Sequence, residues 1–119
     1  MKISNPTAVL GEELAAKFLK DKDYKIIERN FRKGYGEIDI IAIKDKVLVF
    51  IEVKTRTTNL YGSPLEQISY FKLKTLIKTA QYYRALNPRL PESLRIDAIS
   101  VILDENSAKS IEHIENISS

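Results

Sequence analysis

The chain has 119 residues, 44% of them hydrophobic and 29% charged, a balance that suits one folded domain spanning residues 1–119. It holds no cysteine and no run of about 18 apolar residues, which excludes disulfides, thiolate catalysis, cysteine-held metals and a membrane-spanning helix. Net charge is +3, but residues 104–119 set four acids against Lys109, so residues 1–103 carry +6; such a basic surface fits nucleic acid, and ordinary solubility accounts for it equally well.

Residues 1–6 carry no apolar leader, so no signal peptide is expected and the cytoplasm is the expected location. Asn5-Pro6 reads as a helix start, a capping side chain followed by proline at the first helical position. Leu10, Leu14 and Phe18 recur every fourth residue, with Ala15 and Leu19 widening the stripe, and the helix should end near Asp21. On that wheel Glu12 falls at the border of the apolar stripe, while Glu13 falls in solvent. An acid so early in a helix is also favoured by the helix dipole alone. Residues 24–32 read as a strand, with Arg29, Arg32 and Lys33 outside, and Gly34 and Gly36 break it.

Residues 36–56 then read as a hairpin, two β-rich runs around Lys44-Asp45-Lys46. A two-residue or a four-residue loop pairs positions whose numbers sum to 91 and sets Asp39 opposite Glu52 and Glu37 opposite Lys54. Directly opposed residues share a face, with Cβ atoms roughly 5 Å apart. One face thus carries all four charges, continued by Ile41, Ile43, Phe50 and Leu48; the other holds Ile38, Ile40, Ala42, Val53, Ile51 and Val49. Asp-Lys is a poor type I′ pair, so the four-residue loop is expected.

Residues 57–64 read as a polar loop containing Gly62-Ser63-Pro64. The period then turns helical over residues 65–86, with Leu73, Leu76, Ile77, Ala80 and Tyr83 facing the core, until Asn87-Pro88 and Pro91 stop it. Residues 94–103 form a further strand. Residues 109–117, with Ile111, Ile114 and Ile117, read as a short edge strand. The sole histidine, His113, reads as structural. Helix, three strands, helix and further strands imply an α/β fold, a mixed sheet flanked by helices.

Two readings fit the charges inside the hairpin. Carboxylates this close cannot all ionise without a cation, and all-oxygen ligands select magnesium or manganese. Such a cation beside Lys54 suits phosphodiester hydrolysis. Alternatively the charges form a buried structural network, Glu37 with Lys54 and Asp39 with Arg56 or Arg95. Arg29, Arg32, Lys33 and Arg56 offer a phosphate-positioning rim. Lys72 reads equally as a phosphate contact or a solvated lysine, and Tyr61 and Tyr70 as stacking platforms or as packing.

The run Gly36-Glu37-Ile38-Asp39-Ile40-Ile41-Ala42, followed by Glu52-Val53-Lys54-Thr55-Arg56, closely resembles the YraN-like family of small bacterial proteins. Gly11-Glu12-x-x-Ala15, Asn30-x-Arg32, Lys72, Arg95-Ile96-Asp97 and Ile111-x-His113-Ile114 extend the resemblance over nearly the whole chain. That family looks like the PD-(D/E)XK nucleases, close in form to Holliday-junction resolvases. The resemblance implies a restriction-endonuclease-like αβββαβ core, with Asp39 and Glu52 as metal ligands, Lys54 as the catalytic lysine and Glu12 completing the metal site. Glu37 is a secondary candidate. Ile38 stands where the superfamily's name puts proline. The implied cofactor is Mg2+ or Mn2+, the implied substrate is DNA at branched structures, and the implied assembly is a homodimer. A non-catalytic nucleic-acid-binding or protein-interaction module on the same fold is the competing expectation.

Overall fold

The computed structural model describes residues 5–34, 36–57 and 68–118. The expected loop at Gly62-Ser63-Pro64, the helical start at Leu65 and the Tyr61 platform lie outside them. Among the described residues there are two helices and one five-stranded sheet: α1 (Pro6–Asp21), β1 (Lys25–Lys33), β2 (Gly36–Lys44), β3 (Val47–Arg56), α2 (Tyr70–Leu86), β4 (Leu94–Asp104) and β5 (Ser107–Ile114). The strands lie in the order β1-β2-β3-β4-β5, with only β3 and β4 parallel. This is the expected αβββαβ core with β5 added. No described helix is long and apolar enough to cross a membrane.

Each face of the sheet has its own core. Ala15, Ala16 and Leu19 of α1 pack on Ile40, Ala42, Val49, Ile51, Ile99 and Val101. Leu76, Ala80 and Tyr83 of α2 pack on Ile38, Ile41, Leu48, Phe50 and Ile96. Fully burying one such large aliphatic or aromatic side chain stabilises the fold by about 1.5–3 kcal/mol, so both helices are bound chiefly by these faces.

The caps follow from the sequence. The Asn5 side chain accepts from the Thr7 N–H ahead of Pro6. Ser69 Oγ accepts from the Lys72 N–H at 3.0 Å, so α2 begins at Tyr70, later than its period suggested. The α1 stripe is also displaced: Gly11, Ala15, Ala16 and Leu19 are buried, while Leu10, Leu14 and Phe18 are only partly so. Small residues set the seam. A Cβ on Gly11 would lie 1.8 Å from Thr55 Oγ1, so the missing side chain lets α1 lie against β3. Gly11→Ala is expected to destabilise by about 1–3 kcal/mol through overpacking, and adding Thr55→Ala should recover part of the loss. A double-mutant cycle on urea midpoints measures that coupling.

The hairpin register sums to 91 from Lys44↔Val47 through Ile40↔Ile51. Its loop corrects the expectation. It has two residues, Asp45 and Lys46, at φ 49° and 64°, the left-handed pair that matches the strand twist.

A second correction concerns the faces. Ile40 and Ala42 face α1, but Ile38 packs with Ile41 on the α2 side. The alternation of β2 therefore breaks once, at Asp39. β1 breaks beside it: Arg29 pairs with Ile40 and Phe31 with Ile38, Arg29 meets Glu13 of α1, and Phe31 meets Tyr83 of α2. Asn30 between them, opposite Asp39, takes φ 53°, a conformation asparagine tolerates better than most residues. Both strands turn over at this point. Glu37 consequently does not share a face with Glu52 and Lys54.

Candidate functional site

The β2–β3 pairing ends at Ile40↔Ile51. One residue further, the Asp39 side chain takes the place of a backbone acceptor: Asp39 Oδ2 accepts from the Val53 N–H at 2.8 Å. The bond fixes the carboxylate at the point where the strands part. Glu52 follows Phe50 and Leu48 on the α2 face and is buried. Asp39 and Glu52 share a carboxyl–carboxyl hydrogen bond. Burial first, and then the neighbouring Glu52 charge, push the Asp39 acid up to about 8. Two carboxyls at such range resist joint ionisation.

Two ammonium groups meet the same oxygen of Glu52. Lys54 Nζ lies 3.7 Å and Lys72 Nζ 3.3 Å from Oε2. Lys54 arrives along β3, two residues on and therefore on the same face. Lys72 arrives from the first turn of α2. This contact was not evident from the sequence, because a lysine after a serine cap gives no sign of what lies across from it.

Glu12 is half-buried and Glu13 exposed. Glu12 acts on Asp39 through its charge, which helps to hold the Asp39 proton in place. Among the described residues no three His, Cys, Asp or Glu side chains gather closely enough to hold a metal ion. The acidic centre is thus a close pair, Asp39 and Glu52, with Glu12 within electrostatic range.

The other candidates lie around this pair. Arg32 Nε meets Glu37 Oε1 at 3.3 Å, and Arg32, Lys33, Gly34, Gly36 and Glu37 line an open cleft of ≈ 410 Å³. Arg56 ends β3 half-buried. Arg29 Nη1 is paired with Glu13 at 2.7 Å. Arg95 binds Asp97 and Glu115, so it belongs to a different network from the one expected for Asp39. His113 is buried against Asp97, a structural position.

A family model described as uncharacterised protein family UPF0102 matches residues 11–101. A UPF0102 protein of Syntrophomonas wolfei is 43% identical over 106 residues, covering 89% of this chain and 91% of its own length. One of Alkaliphilus oremlandii is 44% identical over 110 residues, covering 90% and 92%. One of Clostridium botulinum is 47% identical over 110 residues, covering 89% and 88%. Among solved structures, a repair endonuclease from Pyrococcus abyssi aligns with a TM-score of 0.42 at 15% identity, over 89% of this chain and 42% of that one, a likeness too low to carry functional inference.

Proposed function

The chain belongs to the uncharacterised protein family UPF0102, and we propose that it is a nuclease whose acidic pair, Asp39 and Glu52, holds Mg2+ or Mn2+ while a nucleic-acid phosphodiester is hydrolysed. The observation that carries this reading is the pair itself. Two carboxyls are pressed together where β2 and β3 part, and burial together with the Glu52 charge opposes their joint ionisation. Their donor set fits a hard divalent cation: all oxygen, with no thiolate and no imidazole. When bound, the cation supplies Lewis acidity next to the scissile phosphate.

The side chains have distinct tasks in this reading. Asp39 and Glu52 ligate, and the Val53 N–H keeps Asp39 aimed. Glu12 adds negative charge to the site from α1. Lys54 faces the charge that develops on the phosphoryl oxygens. Lys72 exchanges its Glu52 contact for a phosphate, and Arg32, Lys33 and Arg56 position the flanking backbone. In this reading the substrate is DNA at branched or junction structures and the working form a homodimer, as the resemblance to resolvase-like PD-(D/E)XK nucleases implies.

One observation favours a second reading. Lys54 and Lys72 already offset the charge of Glu52, as a metal-free binding module would need. Cleavage of labelled junction and linear DNA in magnesium, manganese and chelator separates the two. Lys54→Ala is expected to cut about 100-fold slower or worse while binding DNA as tightly as wild type. Equal cutting by that variant would remove Lys54 from the chemistry, and salt-sensitive binding with no metal-dependent cutting by any form would favour the binding module.

A further inference from the structure

The N-terminal half of α2 presents two large rings to solvent. Tyr70 is 75% and Phe71 80% exposed, far above the other apolar side chains of the helix's first half. They line an open groove of ≈ 470 Å³ with Lys74, Thr75 and Lys78. Lys74 Nζ sits 5.1 Å from the Tyr70 ring centre. The helix carries no aspartate or glutamate along its whole length, yet it holds Lys72, Lys74, Lys78 and Arg84.

Packing does not account for the rings. The core side of α2 is Leu76, Ala80 and Tyr83, with Leu73 and Ile77 beside them. Thr75 marks where the groove meets the sheet, because a Cβ on Gly36 would lie 2.8 Å from Thr75 Cγ2. Gly36 also lines the cleft of Arg32 and Lys33. The cleft and the groove therefore adjoin where Gly36 meets Thr75. Lys72, two residues from both Tyr70 and Lys74 and so on another side of the same helical turn, reaches the acidic pair at Glu52. Rings interleaved with lysines suit unpaired bases, which offer a π-face whatever their sequence, whereas paired bases are already stacked on each other.

We propose that this groove binds a single-stranded segment of nucleic acid, with bases stacked on Tyr70 and Phe71 and the strand's phosphates along Lys74 and Lys78. The proposal rests on the nuclease reading for one consequence: the preferred substrate is a strand with unpaired nucleotides beside the scissile bond.

The test is fluorescence anisotropy in chelator, where no cleavage occurs, with labelled oligo-dT, oligo-rU and a closed duplex. The proteins are wild type, Tyr70→Ala/Phe71→Ala and Tyr70→Trp/Phe71→Trp. The alanine pair is expected to lose about tenfold or more in single-strand affinity, the tryptophan pair to retain it, and duplex binding to change little. The dT and rU arms distinguish DNA from RNA, and a loss on either strand supports the groove. Unchanged single-strand affinity overturns it, as does an equal loss on duplex. A change of oligomeric state with unchanged oligonucleotide binding also overturns it and marks the rings as a protein interface. If wild type cuts in magnesium while the alanine pair binds single strands normally, the groove assignment falls and the nuclease reading stands. If single-strand affinity follows the rings but nothing cuts, the nuclease reading falls and the groove stands.

Discussion

Asparagine at position 39 is expected to give a metal-free protein that is more stable than wild type at alkaline pH and that cuts nothing. The Asp39 carboxyl is raised from 3.8 to about 8 in the folded chain, by burial first and then by the Glu52 charge. The sign follows from that direction. A raised folded value means that the native state holds the proton more tightly, so the contribution is fully present below about 3.8 and is lost as pH rises towards about 8. Asparagine keeps a carbonyl oxygen for the Val53 N–H and removes the charge. Its advantage over wild type should therefore be small near pH 4, grow through neutrality and level off above pH 8. A tenfold difference in proton affinity between the folded and unfolded chain corresponds to about 1.4 kcal/mol; with relaxation of the pair, the gain should reach roughly 2 kcal/mol.

Urea denaturation in chelator across this range measures the gain. Parallel wild-type and Asp39→Asn curves would remove the strained acid from the site. Adding magnesium should then stabilise wild type, since a ligand of the native state shifts its unfolding, and leave the variant where it was. Cleavage by the variant should fall about 1000-fold or more. An Asp39→Asn protein that cuts at the wild-type rate would end the nuclease assignment. A stabilised but inactive variant would show that the acid is kept at the expense of the fold, which a purely structural network does not require.

The parts that sequence made legible were those governed by local periodicity. The hairpin sum of 91 followed from strand alternation and turn length alone, and the ladder from Lys44↔Val47 to Ile40↔Ile51 obeys it. What alternation could not provide was its own interruption. The faces change over between Arg29 and Phe31 in β1, around Asn30 at φ 53°, and between Ile38 and Ile40 in β2. As a result Ile38 joins the α2 core and Glu37 leaves the cluster, although every residue between 36 and 44 reads as a regular strand. An asparagine inside a strand was the available signal, because it is one of the few residues at ease at positive φ. The α1 stripe was shifted rather than missed, for a related reason. Hydrophobicity pointed to Leu10, Leu14 and Phe18 with Ala15 and Leu19, of which Ala15 and Leu19 are the fully buried ones, whereas close approach to Thr55 is set by the absence of a side chain at Gly11. Lys72 depends on tertiary contact across α2 and β3, which neither helix nor strand period encodes.

The largest loss of stability is expected from Asp97→Ala, far in character from the site although Asp97 lies one strand from it. Asp97 is fully buried and receives four hydrogen bonds: two from Arg95 at 2.9 and 3.0 Å, one from His113 Nε2 at 2.7 Å and one from the Asn116 N–H at 2.9 Å. Arg95 also donates to Tyr24 Oη at 2.9 Å, and the His113 ring packs edgewise on Phe18 and Tyr24. One carboxylate thus joins β4, β5, the C-terminal turn and the exit of α1. Removing it strands a half-buried guanidinium and a buried imidazole, and breaking a buried pair costs about 3–5 kcal/mol. Burial alone pushes Asp97 up, yet donation from His113, Arg95 and the Asn116 N–H leaves it below its ordinary value. The sign is therefore opposite to that of Asp39. Its stabilisation is present above about 3.8 and is lost as pH falls through the lowered folded value. Urea midpoints should drop steeply in acid for wild type and much less for the variant, and the two curves should converge at low pH. Asp97→Leu combined with Arg95→Met should recover part of the loss, because the pair is then replaced rather than broken. A loss under about 1 kcal/mol from Asp97→Ala would mean that water already satisfies these groups. A folded variant that cuts normally would separate this buried acid, kept for the fold, from Asp39 and Glu52, kept against it.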